Sequence, residues 1–135
     1  DESGLSRFER EMIAVVVSCV NRCVYCITSH SQAVREFSGD PVLGDILMVN
    51  YREANLTPRQ RSMLDHAWKM TSAPGETGEA DRQALKDAGL SAEEIFDVND
   101  VIAYFNYTNR MTHGLGMQPN EYYFGRNRLP DPAEG

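Results

Sequence analysis

Within eight consecutive residues, Cys23-Val24-Tyr25-Cys26-Ile27-Thr28-Ser29-His30, the chain places two thiols and an imidazole. On a helix turning roughly 100° per residue, Cys23, Cys26 and His30 fall within an arc of about 60° on one face. Sulfurs at i and i+3 are neighbours and close to a disulfide where the first turn permits the geometry. At a helix N-terminus the free N–H groups and the dipole favour a thiolate, which on that ground alone singles out Cys23. His30, four residues after Cys26, is within hydrogen-bonding range of it, directly or through a water. A neutral imidazole there accepts the thiol proton. Ile27, Ala33, Val34 and Phe37 continue the same face, so the dithiol is expected to point into a packed crevice.

A third cysteine, Cys19, lies one turn before Cys23. An odd number of cysteines crowded together is a poor disulfide framework for a secreted protein. No secretory signal pattern is visible, so a reducing cytoplasm is the expected location, where Cys-x-x-Cys is more often catalytic or metal-binding than structural. Cys19 reads as a small buried apolar residue. A zinc site is the competing chemistry for Cys23, Cys26 and His30. It would need a fourth ligand or an open water position, with His66 and His113 the other histidines. Both of these read by default as surface or cap residues. Three function classes follow: a dithiol redox enzyme, a redox-sensing or interaction protein with little turnover, and a zinc-binding helical module.

The elements that must position these groups are helices. Ser6-x-x-Glu9 is a capping box ahead of the apolar run Met12–Val17, and predicts a first helix to about Val20. Val15, Val16 and Val17 would also suit a strand, but the cap and the length favour helix. Asn21-Arg22 is a break. A second helix runs from about Cys23 to Phe37 and stops at Gly39. Asp40 as N-cap with Pro41 behind it predicts a third helix over about Val42–Tyr51, and Thr57-Pro58 a fourth over about Pro58–Thr71 with Met63, Leu64, Ala67 and Trp68 inward. A short helix over Glu79–Ala88 closes at Gly89. Ser91-x-x-Glu94 opens a long one to about Thr112, with Ile95, Val98, Ile102 and Phe105 at helical spacing. Asp1–Leu5 reads as a linker, and Pro119–Gly135 as an arm or a frayed end. The expectation is one all-α domain over residues 1–135, of about six helices, with a segment missing upstream of Asp1.

Glu11 shares a face of the first helix with Phe8, Ala14, Val15 and Ser18. A carboxylate in an apolar stripe is costly unless it is paired. Because the second helix follows a tight break, the two pack side by side and Glu11 is placed to meet His30. A carboxylate that orients an imidazole beside a thiol is the general arrangement of an assisted nucleophile.

Glu11, Cys23-x-x-Cys26 and His30 at these intervals resemble the alkyl hydroperoxidase AhpD / carboxymuconolactone decarboxylase-like family. Arg10-Glu11-Met12-Ile13-Ala14 and Asn21-Arg22-Cys23-Val24-Tyr25-Cys26 resemble its peroxidase-related branch. The resemblance implies an AhpD-like helical fold and reduction of hydrogen peroxide or organic hydroperoxides. It assigns attack to Cys26 and resolution to Cys23, and a proton relay to His30 and Glu11. An external dithiol, a lipoyl group or a thioredoxin-like protein, would reset the disulfide. The family forms homo-oligomers: dimers, trimers and hexamers. Some members carry a histidine just before the second cysteine, where this chain has Tyr25. The decarboxylase branch lacks the dithiol.

Composition agrees with a globular domain. The chain has 135 residues, 41% hydrophobic and 24% charged, with a formal net charge of −7. That sign, with no basic run, argues against nucleic acid as a partner. No apolar run approaches the roughly 18–20 residues that span a bilayer, so no membrane partner is expected. No cofactor is called for. Surplus apolar surface is expected from a first helix apolar nearly all round, and hence association with further copies of the chain. Tyr104, Phe105 and Tyr107 read as core or subunit interface, and Tyr25, on the other side of the second helix, as packing or interface.

Overall fold

The structure is a computed structural model that describes residues 4–128. The described residues are helical, with no strand among them: α1 (Arg7–Val20), α2 (Val24–Ser38), α3 (Leu43–Asn50), α4 (Pro58–Ser72), α5 (Glu79–Asp87), α6 (Ala92–Leu115) and the short α7 (Tyr122–Gly125), with single 3-10 turns at Tyr51–Glu53 and Pro74–Glu76. This is one helix more than the sequence predicts.

Helix α1 is the axle. Met12 to Val17 are completely buried, because α2, α3, α4 and α6 all pack against it. A helix that is apolar all round belongs inside a bundle, and burial on every side overrides the strand preference of three consecutive valines. The surplus apolar surface expected on α1 is therefore absent: the chain's own helices cover it. Exposed apolar groups are found on other elements, and five of them lie on α6, at Phe96, Tyr104, Tyr107, Met111 and Leu115. At roughly 100° per residue these five occupy an arc of about 100°.

The two capping boxes expected at Ser6/Glu9 and Ser91/Glu94 form, and Thr57, expected as N-cap ahead of Pro58, makes a third with Gln60. Arg59, in the first turn of α4, joins two of them, donating to Glu9 Oε2 at 2.8 Å and reaching Glu94 Oε2 at 2.6 Å. The helix starts of α1, α4 and α6 are thereby tied together. Gly44 lets α3 cross α2 closely: a Cβ there would stand 2.9 Å from the Ser31 carbonyl oxygen.

Four local readings change. Asp40 is not the N-cap of α3. Its carboxylate accepts from Val42 N at 2.8 Å, a turn that holds Pro41 outside the helix, and Val42 takes the cap position. Residues 4 and 5 are not a linker, since Leu5 is buried in the core and Gly4 N donates to Asp97 on α6; residues 1–3 lie outside the described residues. His66 is not a surface residue but buried, with Nε2 bonded to Asn99 Oδ1 at 2.9 Å. The start of the C-terminal arm is docked rather than frayed. Arg35 of α2, itself buried, donates to the carbonyls of Tyr123 and Arg126, and Arg128 pairs with Asp45. The arm's last stretch, 129–135, lies outside the described residues.

Candidate active site

The dithiol sits where α1 turns into α2. Asn21 caps α1, and Arg22 follows in the left-handed region at φ 55°. Cys23 N donates to the Ser18 carbonyl and Arg22 N to the Cys19 carbonyl, the paired bonds that close a helix through a left-handed residue. Glycine usually occupies that position; here it is arginine. The turn delivers Cys23 as N-cap of α2, where its sulfur accepts from Cys26 N at 3.3 Å. Cys26 stands in the first helical turn. The two are joined as a disulfide with Cα atoms 5.3 Å apart, and are 1% and 4% exposed. Both sulfurs thus lie at the N-terminal end of one helix, so the dipole does not separate them.

Glu11 and His30 meet across the α1–α2 interface: His30 Nδ1 and Glu11 Oε2 are 2.7 Å apart. A carboxylate accepts the Nδ1 proton, so in the neutral imidazole Nε2 is the nitrogen with the lone pair. Phe105 of α6 packs edge-on against the imidazole, with ring centres 4.9 Å apart. Among the described residues no direct hydrogen bond links His30 to either sulfur. The polar side chain beside Cys26 is instead Thr112, 3.7 Å from Sγ and 86 residues away in sequence. Sequence reasoning missed it, because a threonine near the end of a helix carries no signal of its own. Asn109 was missed as well; fully buried, it donates to Ser18 Oγ and accepts from Asn21.

Glu11 and Cys23 open on different spaces. A recess of about 400 Å³ lined by Arg7, Arg10, Glu11, Asp100, Tyr104 and Phe105 adjoins the carboxylate. A cleft of about 150 Å³ lined by Arg22, Cys23, Tyr25, Thr112, His113 and Gln118 reaches Cys23. A larger cavity of about 700 Å³ runs along α4 past Arg52, Asp65 and Trp68 and contains no cysteine.

The carboxymuconolactone decarboxylase family matches residues 1–42, the stretch that contains Glu11, both site cysteines and His30. A peroxidase-related protein of Silicibacter sp. TM1040, itself uncharacterized, superposes with a TM-score of 0.91 at 52% identity, over 94% of this chain and 66% of that one. The alkylhydroperoxidase AhpD core of an uncharacterized peroxidase-related protein from Ralstonia eutropha JMP134 gives 0.91 at 40% identity, over 97% of this chain and 69% of that one. The chain belongs to the AhpD-like, carboxymuconolactone decarboxylase family. It spans about two thirds of the length of these two relatives. A protein of unknown function from Agrobacterium tumefaciens, a candidate antioxidant defence protein AhpD, shares the fold at TM-score 0.76 and 23% identity, over 87% of this chain and 80% of that one. No curated protein matches the sequence.

Within this AhpD-like frame the remaining candidates separate cleanly. Cys19 is a half-buried free thiol whose sulfur lies 3.4 Å from the Met48 carbonyl oxygen, and burial pushes its thiol up to about 11. It is held as a neutral donor. Tyr25 packs edge-on to Tyr123 of the arm, with ring centres 6.4 Å apart, and lines the cleft beside Cys23 without a hydrogen bond to either sulfur among the described residues. His113 does not join the dithiol either; its Nε2 donates to the Asn21 carbonyl at 2.9 Å. Among the described residues no group of three or more histidines, cysteines and carboxylates gathers in a form that would hold a metal ion. No helix of the described residues is long and apolar enough to cross a membrane.

Proposed function

We propose that this AhpD-like protein is a thiol peroxidase that reduces hydrogen peroxide or organic hydroperoxides through Cys26 and Cys23, with His30 and Glu11 as its proton relay. One observation carries the reading: a Cys-x-x-Cys pair at disulfide distance is buried on the same helix as an imidazole whose Nδ1 is held by a carboxylate. The Cys26 thiolate attacks one peroxide oxygen and the O–O bond breaks. Cys26 becomes a sulfenic acid, and the alkoxide or hydroxide leaves with the proton that His30 Nε2 took from the Cys26 thiol when the thiolate formed. Since no direct bond joins His30 to the sulfur, the proton crosses through a water or through the peroxide itself. The Cys23 thiol then displaces water from the sulfenic acid and the disulfide forms. A dithiol reductant, lipoyl or thioredoxin-like, returns two electrons by exchange. The cleft that reaches Cys23 fits entry of that reductant, and the recess beside Glu11 fits proton exchange with solvent.

A reducing cytoplasm suits a disulfide that must be reset each turnover. The apolar stripe on α6 suits self-association into the oligomers typical of the family.

The test is peroxide consumption in the presence of dihydrolipoamide or a thioredoxin system, with the parent and Cys26→Ser compared. Loss of turnover in Cys26→Ser is expected. Equal rates would overturn the assignment. A parent that cycles its disulfide without consuming peroxide would favour a redox-sensing role.

A further inference from the structure

Among the described residues, Cys26 Sγ has one polar side chain hydrogen-bonded to it besides Cys23, the hydroxyl of Thr112 at 3.7 Å. Thr112 is buried, and the turn of α6 that carries it is pinned on both sides to the turn that carries Cys23. One turn earlier, Asn109 bonds Ser18 and Asn21; one residue later, His113 donates to the Asn21 carbonyl. Ser18 and Asn21 belong to the same helix ending that sets the Cys23 backbone. The placement of Thr112 and the placement of the dithiol are one construction.

The hydroxyl is a rotor with two acceptors in reach. Beside the disulfide it donates to the Thr108 carbonyl at 2.8 Å. That carbonyl also receives the Thr112 N–H in the helix, so the hydroxyl can leave without orphaning it. A disulfide sulfur is a poor acceptor, whereas a thiolate is a strong one, since hydrogen bonds to an ionised partner are about twice as strong as neutral ones.

We propose that Thr112 is a catalytic residue of the dithiol: on reduction its hydroxyl turns from Thr108 to the Cys26 thiolate and stabilises it. Cys23 has the Cys26 backbone N–H for the same purpose, and Thr112 gives Cys26 a donor of its own. Tyr25, which points to Tyr123, supplies none. The bond serves two steps. It prepares the Cys26 thiolate to attack. In the resetting exchange it also stabilises Cys26 as the leaving thiolate, when a reductant thiolate attacks Cys23 and the new S–S bond forms there as the Cys23–Cys26 bond breaks. Attack on peroxide and the resetting exchange rest on the peroxidase reading; the stabilised thiolate does not.

The test is the pH dependence of Cys26 alkylation by iodoacetamide in Cys23→Ser protein, with the modified site located by mass spectrometry. Cys19, held neutral to about 11, leaves a low background. Thr112→Val, which keeps the shape without the hydroxyl, is expected to move the Cys26 midpoint up by about one unit, roughly tenfold less thiolate below both midpoints. Thr112→Ser, which restores the hydroxyl, should return it to the parent value. Thr112→Ala serves as the hydroxyl-free variant if Val does not fold. An unchanged midpoint without the hydroxyl, or no recovery with serine, would overturn the proposal. Peroxide turnover of the intact dithiol is measured separately. If the parent does not consume peroxide, the peroxidase reading fails while the midpoint still reports on Thr112.

Discussion

His30 Nδ1 stands 2.7 Å from Glu11 Oε2, two side chains 19 residues apart brought together where α2 doubles back on α1. The bond fixes the tautomer of the imidazole, with the proton on Nδ1 and the lone pair on Nε2. Glu11→Gln keeps the shape but offers an amide that can turn its donor to Nδ1 and hold the wrong tautomer. Peroxide turnover is expected to fall by roughly 10²-fold, and His30→Gln to fall at least as far, within the range of general acid–base catalysis. A Glu11→Gln rate within about twofold of the parent would remove the relay from the mechanism.

Cys19 should stay silent where Cys23 and Cys26 react. With its thiol at about 11 through burial, roughly one part in a thousand is thiolate at pH 8. After reduction and a brief exposure to iodoacetamide at that pH, peptide mass spectrometry should find label at the site cysteines and almost none at Cys19.

Acid should loosen the helix starts. Burial opposes ionisation of Glu9, but the hydrogen bond from Arg59 and the bonds from Ser6 outweigh it and hold the carboxyl below its usual 4.5. Glu94 is held low by the Ser91 backbone N–H and then by Arg59. A depressed folded pKa contributes stability that is complete above the unfolded value and lost as pH falls through the folded one. The loss therefore begins below about 4.5 and continues downwards. Arg59→Met should lower stability by roughly 1–2 kcal/mol at pH 7 and flatten this acid limb. Urea melts between pH 3 and 7 would show both.

Arg22 adopts φ 55° at the position where helix endings favour glycine. Replacing it with Gly should relieve about 1 kcal/mol of strain. Part of that is offset by the greater freedom of the unfolded chain, so a rise in stability of a few tenths to about 1 kcal/mol is expected. A marked loss on thermal melting would mean that the Arg22 side chain holds the turn through contacts of its own.

The stripe Phe96, Tyr104, Tyr107, Met111 and Leu115 is exposed along one side of α6. If it is the face through which copies associate, Tyr107→Glu with Met111→Glu should shift the sedimentation coefficient to that of a single chain and leave helix content unchanged. A parent that already sediments as a single chain would leave the stripe without that role.

Much of this architecture was legible from local chemistry. The capping boxes at Ser6 and Ser91 and the Thr57-Pro58 signal act within four residues, so helix starts could be placed without knowledge of any neighbour. The inward positions Met63, Leu64, Val98 and Ile102 followed from helical spacing alone. Asp40 misled, because an aspartate before proline caps a turn and a helix equally well. His66 misled because nothing in its local sequence announces the Asn99 that makes its burial tolerable. Docking of the arm at Tyr122–Gly125 depends on Arg35 finding two carbonyls more than eighty residues away.

What the sequence by itself determined was therefore the reactive set and its register: Cys23, Cys26 and His30 on one helix face, and Glu11 on the helix before it. Covalent spacing and helical periodicity impose that much on any fold that keeps the two helices. Only the tertiary structure decided that His30, bonded to Glu11, makes no direct bond to Cys26, and that Thr112 stands against the Cys26 sulfur. Hydrogen bonds reach about 3 Å whatever the distance along the chain. A contact across 86 residues is made by how α6 lies on the α1–α2 turn, and no local pattern in the sequence encodes it.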